Sequence, residues 1–369
     1  MTKISLVTTT INVPSFLYDF DKCDAGNNDV VFIIVGDNKT PNAVERFCNR
    51  QSFDNFRVEY WTPELQKHYI KEYWKVNNVG SVIPENDIRR RNFGFLRAWE
   101  LDSDYVVSLD DDNYPLNSSW LSEVLESMNS IPCSVDSNLK VFNPCSYLYS
   151  SEDFCYSRGF PQSLWFRNDY CTTVKSGDRK IVMNQMLWEN KPDVDAVTNL
   201  IFPDLKTRKI NLDGNYNVIV NKDNYFPVDT QSIIISKELS VFHALYQQPL
   251  FNLPSHRYDD IWAGLFSQKL IHQMGDACSF GGPVMSHNRN SHNFQKDLQM
   301  EFVGMTLNEK MWSHVMNLDL QSKDYKSGLL EIADSLPEAF KEYDYKVVNF
   351  MEKIQDSCHI WVNLLEKIS

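Results

Sequence analysis

The side chains of this sequence best suited to chemistry are carboxylates set in a triplet and a pair. YVVSLDDDNYP, residues 105 to 115, closes an apolar run on Asp110, Asp111 and Asp112. Adjacent like charges repel, so the triplet costs stability unless water or a cation meets it. One reading is a solvated acidic turn. The other is a metal site, in which Asp110 and Asp112 share a side of a strand and offer hard oxygens to Mg²⁺ or Mn²⁺. HRYDDIWAG, 256 to 264, places Asp259 and Asp260 ahead of another apolar run. They suit a helix N-terminus, where the dipole favours anions. They equally suit a base or a hydroxyl-binding group, with Trp262 as its apolar wall.

Three basic stretches accompany these acids. SRGFPQSLW, 157 to 165, holds Arg158 at a Gly-aromatic-Pro bend. SHNRNSHN, 286 to 293, offers His287 as a further metal ligand and Arg289 as a bidentate clamp for phosphate. IRRRNFGFLRAWE, 88 to 100, carries Arg89, Arg90, Arg91 and Arg97 toward the aspartate strand. That local positive charge suits a diphosphate; solvated helix arginines are the alternative.

The rest of the chain must position these groups. Its 369 residues, 43% hydrophobic, supply a large core, in one α/β unit with an appendage or in two domains. A net charge of −13 argues against nucleic acid or an anionic membrane as main partner. The eight cysteines show no CxxC pair and no zinc spacing, which reads as a reduced intracellular protein. The N-terminus does not resemble a signal peptide, and no apolar run is long enough for a transmembrane segment. A cytoplasmic location is therefore expected, with attachment to a membrane or Golgi surface left open.

Residues 3–11, 29–37, 56–61 and 103–112 read as strands, with a helix over 86–100 and another capped by Ser118 or Ser119 and running to Met128. Alternation of this kind predicts a mainly parallel sheet covered on both faces, with ligands beyond the carboxyl ends of its strands. Asp37 and the aspartate triplet fall at such ends. Further on, 216–220 and 231–236 read as strands and 237–246 as a helix. From about 305 the pattern is helical, and Val347, Phe350, Met351, Ile354, Cys358 and Leu365 form one apolar stripe. The stripe packs on the domain or on another subunit, which allows a homo-oligomer through the C-terminal helices.

Taken together, the segments resemble the reversibly glycosylated polypeptides, the family that includes the plant UDP-arabinopyranose mutases. VFIIVGDN, RNFGF, SLDDDN, RGFPQSL, LWENKPDVDAVT, FPVDTQSIIISKEL and RYDDIWAG follow that family's order, and SHNRNSHN follows it more loosely. The resemblance implies a GT-A fold: a single Rossmann-like nucleotide-sugar domain over 1–300, its mainly parallel sheet flanked by helices, and a C-terminal helical region over 301–369. It implies a divalent metal, Mn or Mg, at Asp110, Asp112 and His287, and neither flavin nor nicotinamide. Thr8, Thr10, Asp37, Arg91, Asp110, Asp111, Trp262 and Arg289 would bind the nucleotide sugar, and Asp259, Asp260 and Arg158 would act in catalysis. Arg158 corresponds to the family's self-glycosylating arginine. A guanidinium is a poor nucleophile unless a carboxylate takes its proton, so an electrostatic clamp is the alternative. The expected activity is that of a UDP-sugar mutase. Transfer to an external glycan acceptor and a non-catalytic subunit of a hetero-oligomer are the other readings.

Overall fold

A computed structural model describes residues 1–129, 133–175, 179–209, 217–288 and 293–368. Its centre is one mixed sheet. The strands are β1 (Lys3–Thr9), β2 (Asp29–Val35), β3 (Arg57–Trp61), β4 (Tyr105–Leu109), β5 (Asn113–Pro115), β6 (Cys133–Ser137) and β7 (Leu148–Ser150). They continue with β8 (Cys171–Lys175), β9 (Ile181–Asn190), β10 (Thr207–Lys209), β11 (Asn217–Val220), β12 (Ser232–Ser236) and β13 (Ala277–His287). The main path runs β3-β2-β1-β4-β12-β9-β13-β11-β6-β8. The first four strands are mutually parallel, β12 is antiparallel to β4 and β9, and β13 is parallel to β9. This is the single Rossmann-like, GT-A type of α/β architecture.

Period-two alternation explains why the parallel strands read as unbroken apolar runs. On β2, Val31, Ile33 and Val35 belong to one buried cluster, while Val30, Phe32 and Ile34 belong to the cluster on the other face. The helices are α1 (Leu17–Phe20), α2 (Ala43–Arg50), α3 (Pro63–Tyr69), α4 (Arg91–Glu100) and α5 (Trp120–Glu126). After these come α6 (Ala196–Ile201), α7 (Asp259–Met274), α8 (Phe294–Asn317), α9 (Tyr325–Ala339) and α10 (Tyr345–Ile368). Ser119 precedes α5, and its hydroxyl bonds Glu123 at 2.7 Å.

The apolar stripe of α10 is buried within this chain. Trp361 stacks on His243 with ring centroids 4.6 Å apart, and Phe350 lies against Trp262. Among the described residues no helix is long and apolar enough to cross a membrane.

One expected helix is absent. Only Lys237–Leu239 forms a short 3-10 turn, and 240–246 runs irregularly. Its backbone groups bond elsewhere: Ala244 N and O pair with the Asn92 amide at 2.9 Å each, and Leu245 N donates to Asp259 O at 3.1 Å. A buried amide on α4 and the start of α7 thus outcompete the local helix and tie this segment to both.

Candidate functional site

Two clefts open beyond the carboxyl ends of β1, β2 and β4 and share Asn86, Asp87 and Ile88 as a common wall. The first, about 260 Å³, includes Asp110, Arg158, Asp193, Asp259, Asp260 and Met300 in its lining. The second, about 250 Å³, is lined by Thr9, Thr10, Asp37, Lys39, Arg90 and Asp111 among others.

The aspartate triplet faces three ways. Asp110 pairs with Arg91 at the first cleft. Asp111 accepts from Thr10 Oγ1 at 2.6 Å beside the second cleft; burial, then the neighbouring charges of Asp110 and Asp112, hold its carboxyl above the usual range. Asp112 lies 3.5 Å from His287 Nε2. The meeting of Asp112 with His287 follows from the sheet: β5 pairs antiparallel with β13, opposing Asn113 to His287. Of the three expected metal ligands, the fold joins Asp112 and His287, neither of which lines a cleft, while Asp110, at the first cleft, is turned to Arg91. Among the described residues no three His, Cys, Asp or Glu side chains form a ready ligand set.

The Asp112–His287 pair nonetheless suits a hard divalent cation. His287 Nδ1 lies on the Lys191 carbonyl, which can only accept, so Nδ1 carries the proton and the Nε2 edge is aimed at Asp112. One carboxylate and one oriented imidazole leave coordination positions for water and substrate oxygens, as Mg²⁺ and Mn²⁺ sites commonly do.

The first cleft is built on Arg158. An isolated bridge between Ser157 and Val194 lays the RGFP segment beside PDVD, and Arg158 N donates to Asp193 O at 2.9 Å. All three nitrogens of the guanidinium are then engaged. Nε reaches both oxygens of Asp193 (3.1 and 3.0 Å), and Nη1 and Nη2 reach Asp260 (2.9 Å each). Nη2 also meets Asp193 at 2.8 Å, and Nη1 donates to Arg257 O. Burial opposes the charge on Arg158, but Asp193 and Asp260 hold its pKa well above the ordinary value.

Asp260 is held below the usual carboxylate range: burial opposes its charge, and Arg158 and the Thr230 amide outweigh burial. Its neighbour Asp259 behaves oppositely. Burial first, then the charges of Asp260 and Asp87, push its carboxyl up to about 8, and its side chain has no hydrogen-bond partner among the described residues. Two adjacent acids with separated proton affinities are the pattern of a division of labour between charge and proton transfer.

Gly159 makes this geometry possible. It sits at φ +83°, and a Cβ there would lie 2.3 Å from Ile261 Cγ2 on α7. Gly159→Ala is expected to push the RGFP bend off α7 and destabilise the fold by about 1–3 kcal/mol. Urea titration checks it: an unchanged midpoint would mean the bend tolerates the displacement.

Several expected ligand-binding groups lie elsewhere. Thr8 is fully buried with its hydroxyl on Thr9 O; because β1 ends at Thr9 the alternation breaks, and Thr9 and Thr10 line the cleft. Arg91, expected as a diphosphate clamp, is buried beneath Asp110, bonded to Ser108 and Thr230 O, and lines neither cleft. It is a support for Asp110. Trp262, expected as an apolar wall, is fully buried with Nε1 on Asn308 at 3.2 Å. Arg289 lies outside the described residues. Of the arginine helix only Arg90 lines a cleft, since Arg89 pairs with Asp87 and Arg97 with Glu59 and Glu100. Asp193 and Asp87 were not anticipated. Asp193 had a signal: in extended PDVD, Asp193 and Asp195 share one side, and Asp195 turns out to cap α6. Asp87, in a loop after Pro84, had none.

Comparison with known proteins agrees with the assembled motifs. The family described as reversibly glycosylated polypeptide matches residues 66–369, which include Arg158, Asp193, Asp259, Asp260 and the Asp112–His287 pair. A probable UDP-arabinopyranose mutase 4 of Arabidopsis thaliana is 27% identical over 58% of this chain and 54% of its own length. A probable UDP-arabinopyranose mutase 1 of Pisum sativum is 26% identical over 78% of this chain and 74% of its own. Among solved structures, glucosyl-3-phosphoglycerate synthase from Mycobacterium tuberculosis, in complex with Mn²⁺ and UDP-glucose, aligns at 10% identity with a TM-score of 0.41, over 83% of this chain and 78% of that one. With the match spanning most of its length, the chain belongs to the reversibly glycosylated polypeptide family.

Proposed function

We propose that this protein is an enzyme that binds a UDP-linked sugar, breaks the bond between sugar and diphosphate, and remakes it after the sugar ring has closed through a different oxygen. The observation that carries this reading is the pair of joined clefts. The second, at the ends of β1 and β2, offers Thr10, Asp37 and Asp111 to a nucleoside. The first, about 260 Å³ and walled by Arg158, Asp193, Asp259 and Asp260, lies just below the usual range of small-molecule sites, which suits a small group such as one sugar. The Arabidopsis and Pisum relatives named as mutases support the same reaction.

Asp112 and His287 would hold the divalent cation, which when bound supplies Lewis-acid stabilisation of the departing diphosphate. The chain's own groups do the rest. As the electron pair of the C1–oxygen bond leaves with UDP, positive charge grows on the sugar, and the carboxyl oxygens of Asp193 and Asp260 stabilise it from fixed positions. The hydroxyl that closes on C1 loses a proton, and the former ring oxygen gains one as its bond to C1 breaks. Asp259, with its carboxyl near 8, can take the first proton and return the second. Arg158 keeps its charge because Asp193 and Asp260 between them engage all three of its nitrogens, so the reading it supports is a clamp on those two acids. To accept a sugar it would have to release a partner and pass a proton to one of those acids.

The test is incubation with radiolabelled UDP-sugars, with Mn²⁺ or chelator, following free UDP, ring isomer and label on protein. A ring-isomerised product is expected. UDP released with an unisomerised sugar on another molecule would mean transfer instead. A second expected result concerns the cation. UDP with Mn²⁺ should stabilise the wild type by about 2.7 kcal/mol at a hundredfold excess over Kd, and chelator should remove this gain. Asp112→Asn should show no metal-dependent gain; a full gain in that variant would place the cation elsewhere.

A further inference from the structure

The charged groups of the first cleft are largely occupied with one another. Arg158 holds Asp193 and Asp260, Arg257 holds Glu301 at 2.8 Å, and Arg89 holds Asp87. Two neutral polar groups in its wall are not. Gln231 is 8% exposed, and its amide has no hydrogen-bond partner among the described residues, with Nε2 fully buried. Its backbone is fixed on both sides: its N donates to Asp229 Oδ1 at 3.0 Å, and its O accepts from Asp110 N at 3.0 Å. The amide is therefore anchored where β12 meets the end of β4, between Asp110 and the Arg158 cluster. His256 is the second. Its Nδ1 is buried without a hydrogen bond, 3.6 Å from an Asp87 oxygen that Arg89 already occupies. Burial first, with Arg89 adding to it against the pull of Asp87, keeps its ring below the ordinary imidazole value and so neutral.

A buried amide without a partner destabilises the free protein, and the fixed backbone roots this side chain in the cleft wall. An amide and a neutral imidazole each donate and accept, which matches a hydroxyl and does not match a phosphate. We infer that Gln231 and His256 are the residues that read the hydroxyl groups of the sugar and so set which sugar is accepted. The inference rests on the nucleotide-sugar reading of the two clefts. The division of labour is that the charged cluster serves the reacting carbon, whereas the neutral pair serves the ring's periphery.

The consequence is specific. A site built to hydrogen-bond a hydroxyl rejects the analogue that lacks it, because the site's own polar group is then left unpaired. Gln231→Leu keeps roughly the shape and removes the amide. It should lower kcat/KM for the preferred UDP-sugar by about 10- to 100-fold, and should abolish the wild-type preference for that sugar over its mono-deoxy analogue. His256→Phe should do the same for a different hydroxyl, so each variant loses discrimination against a different deoxy analogue. A merely structural role would lower rates for all analogues alike.

The experiment measures binding of UDP and of UDP-sugar by calorimetry, and turnover of a set of mono-deoxy UDP-sugars, for wild type and both variants. UDP affinity is the control, and thermal unfolding of Gln231→Leu should be unchanged or slightly raised. Equal discrimination in wild type and both variants overturns the inference while leaving nucleotide-sugar binding intact. A wild type that binds neither UDP nor UDP-sugar overturns the reading of the clefts itself.

Discussion

Arg158→Ala is expected to destabilise the protein by about 3–5 kcal/mol, a large share of the total stability of an ordinary domain. The magnitude follows from what remains behind. Asp193 and Asp260 are both buried, and each gives both carboxylate oxygens to the guanidinium. Without Arg158 two carboxylates face each other in a site that water enters poorly, and removal of one partner of a buried pair costs far more than the pair itself contributes. Arg158→Lys restores the charge but not the planar fork, so it should fall between wild type and alanine. Arg158→Met combined with Asp193→Asn and Asp260→Asn should recover most of the stability and none of the activity, because it removes the unpaired charges along with the field they supply.

The same network fixes a pH dependence. The pKa of Asp260 is lower in the folded state than in the unfolded chain, so its contribution is present above the unfolded value and is lost as pH falls through the folded one. Acid should therefore narrow the gap between wild type and Arg158→Ala. Guanidinium titrations at neutral and acid pH measure both effects. A midpoint for Arg158→Ala equal to that of wild type at neutral pH would mean that the cluster is not the buried ion network described.

Much of the architecture was legible because burial on both faces leaves no room for polar residues. VVFIIV on β2 can only be an interior strand, and the aspartates after β4 mark its carboxyl end. What could not be read was direction. DDD follows a strand, but the chain turns at once into β5, so each aspartate points to a different partner set by a distant segment: Thr10, Arg91 and His287. Arg91 fails as a ligand for the same reason. Helical spacing gives it a face but does not say that Asp110 and Thr230 O close over that face. The helix expected over 237–246 was lost to Asn92, a side chain some 150 residues away in sequence. Arg158 and Asp260 were each singled out through family resemblance, but their pairing was not legible, since 102 residues separate them. Asp193 lay in a quoted motif, and only the Ser157–Val194 bridge explains why that motif must travel with RGFP.

Asp259→Asn is expected to lower kcat by about 10²- to 10⁴-fold, the usual size of a positioned acid–base group. Asparagine preserves the shape and the helix start, and the proposed function puts UDP in the other cleft, so the loss should appear in kcat with UDP affinity little changed. The pH dependence makes the assignment specific. Burial and the charges of Asp260 and Asp87 bring the Asp259 carboxyl up to about 8, and accepting a proton requires the ionised form. For wild type, kcat/KM should therefore rise through about pH 8, and this limb should vanish in Asp259→Asn. Stability runs the other way. Between the unfolded carboxyl value near 4 and the folded value near 8, the native state keeps a proton that the unfolded chain has released. This contribution is complete below the unfolded value and is lost as pH rises through the folded one, so the wild type should weaken relative to Asp259→Asn from about pH 4 to 8. Asp229, buried and likewise pushed up by burial and by Asp193 and Asp260, adds a slope of the same sign to both proteins, and the difference between them isolates Asp259. Activity that climbs through about pH 8 and a stability loss that levels off there, both abolished by one substitution that adds no bulk, are a signature that a structural carboxylate would not give. If the variant keeps the alkaline rise in kcat/KM, the proton is carried by another group, and Asp259 serves only the start of α7.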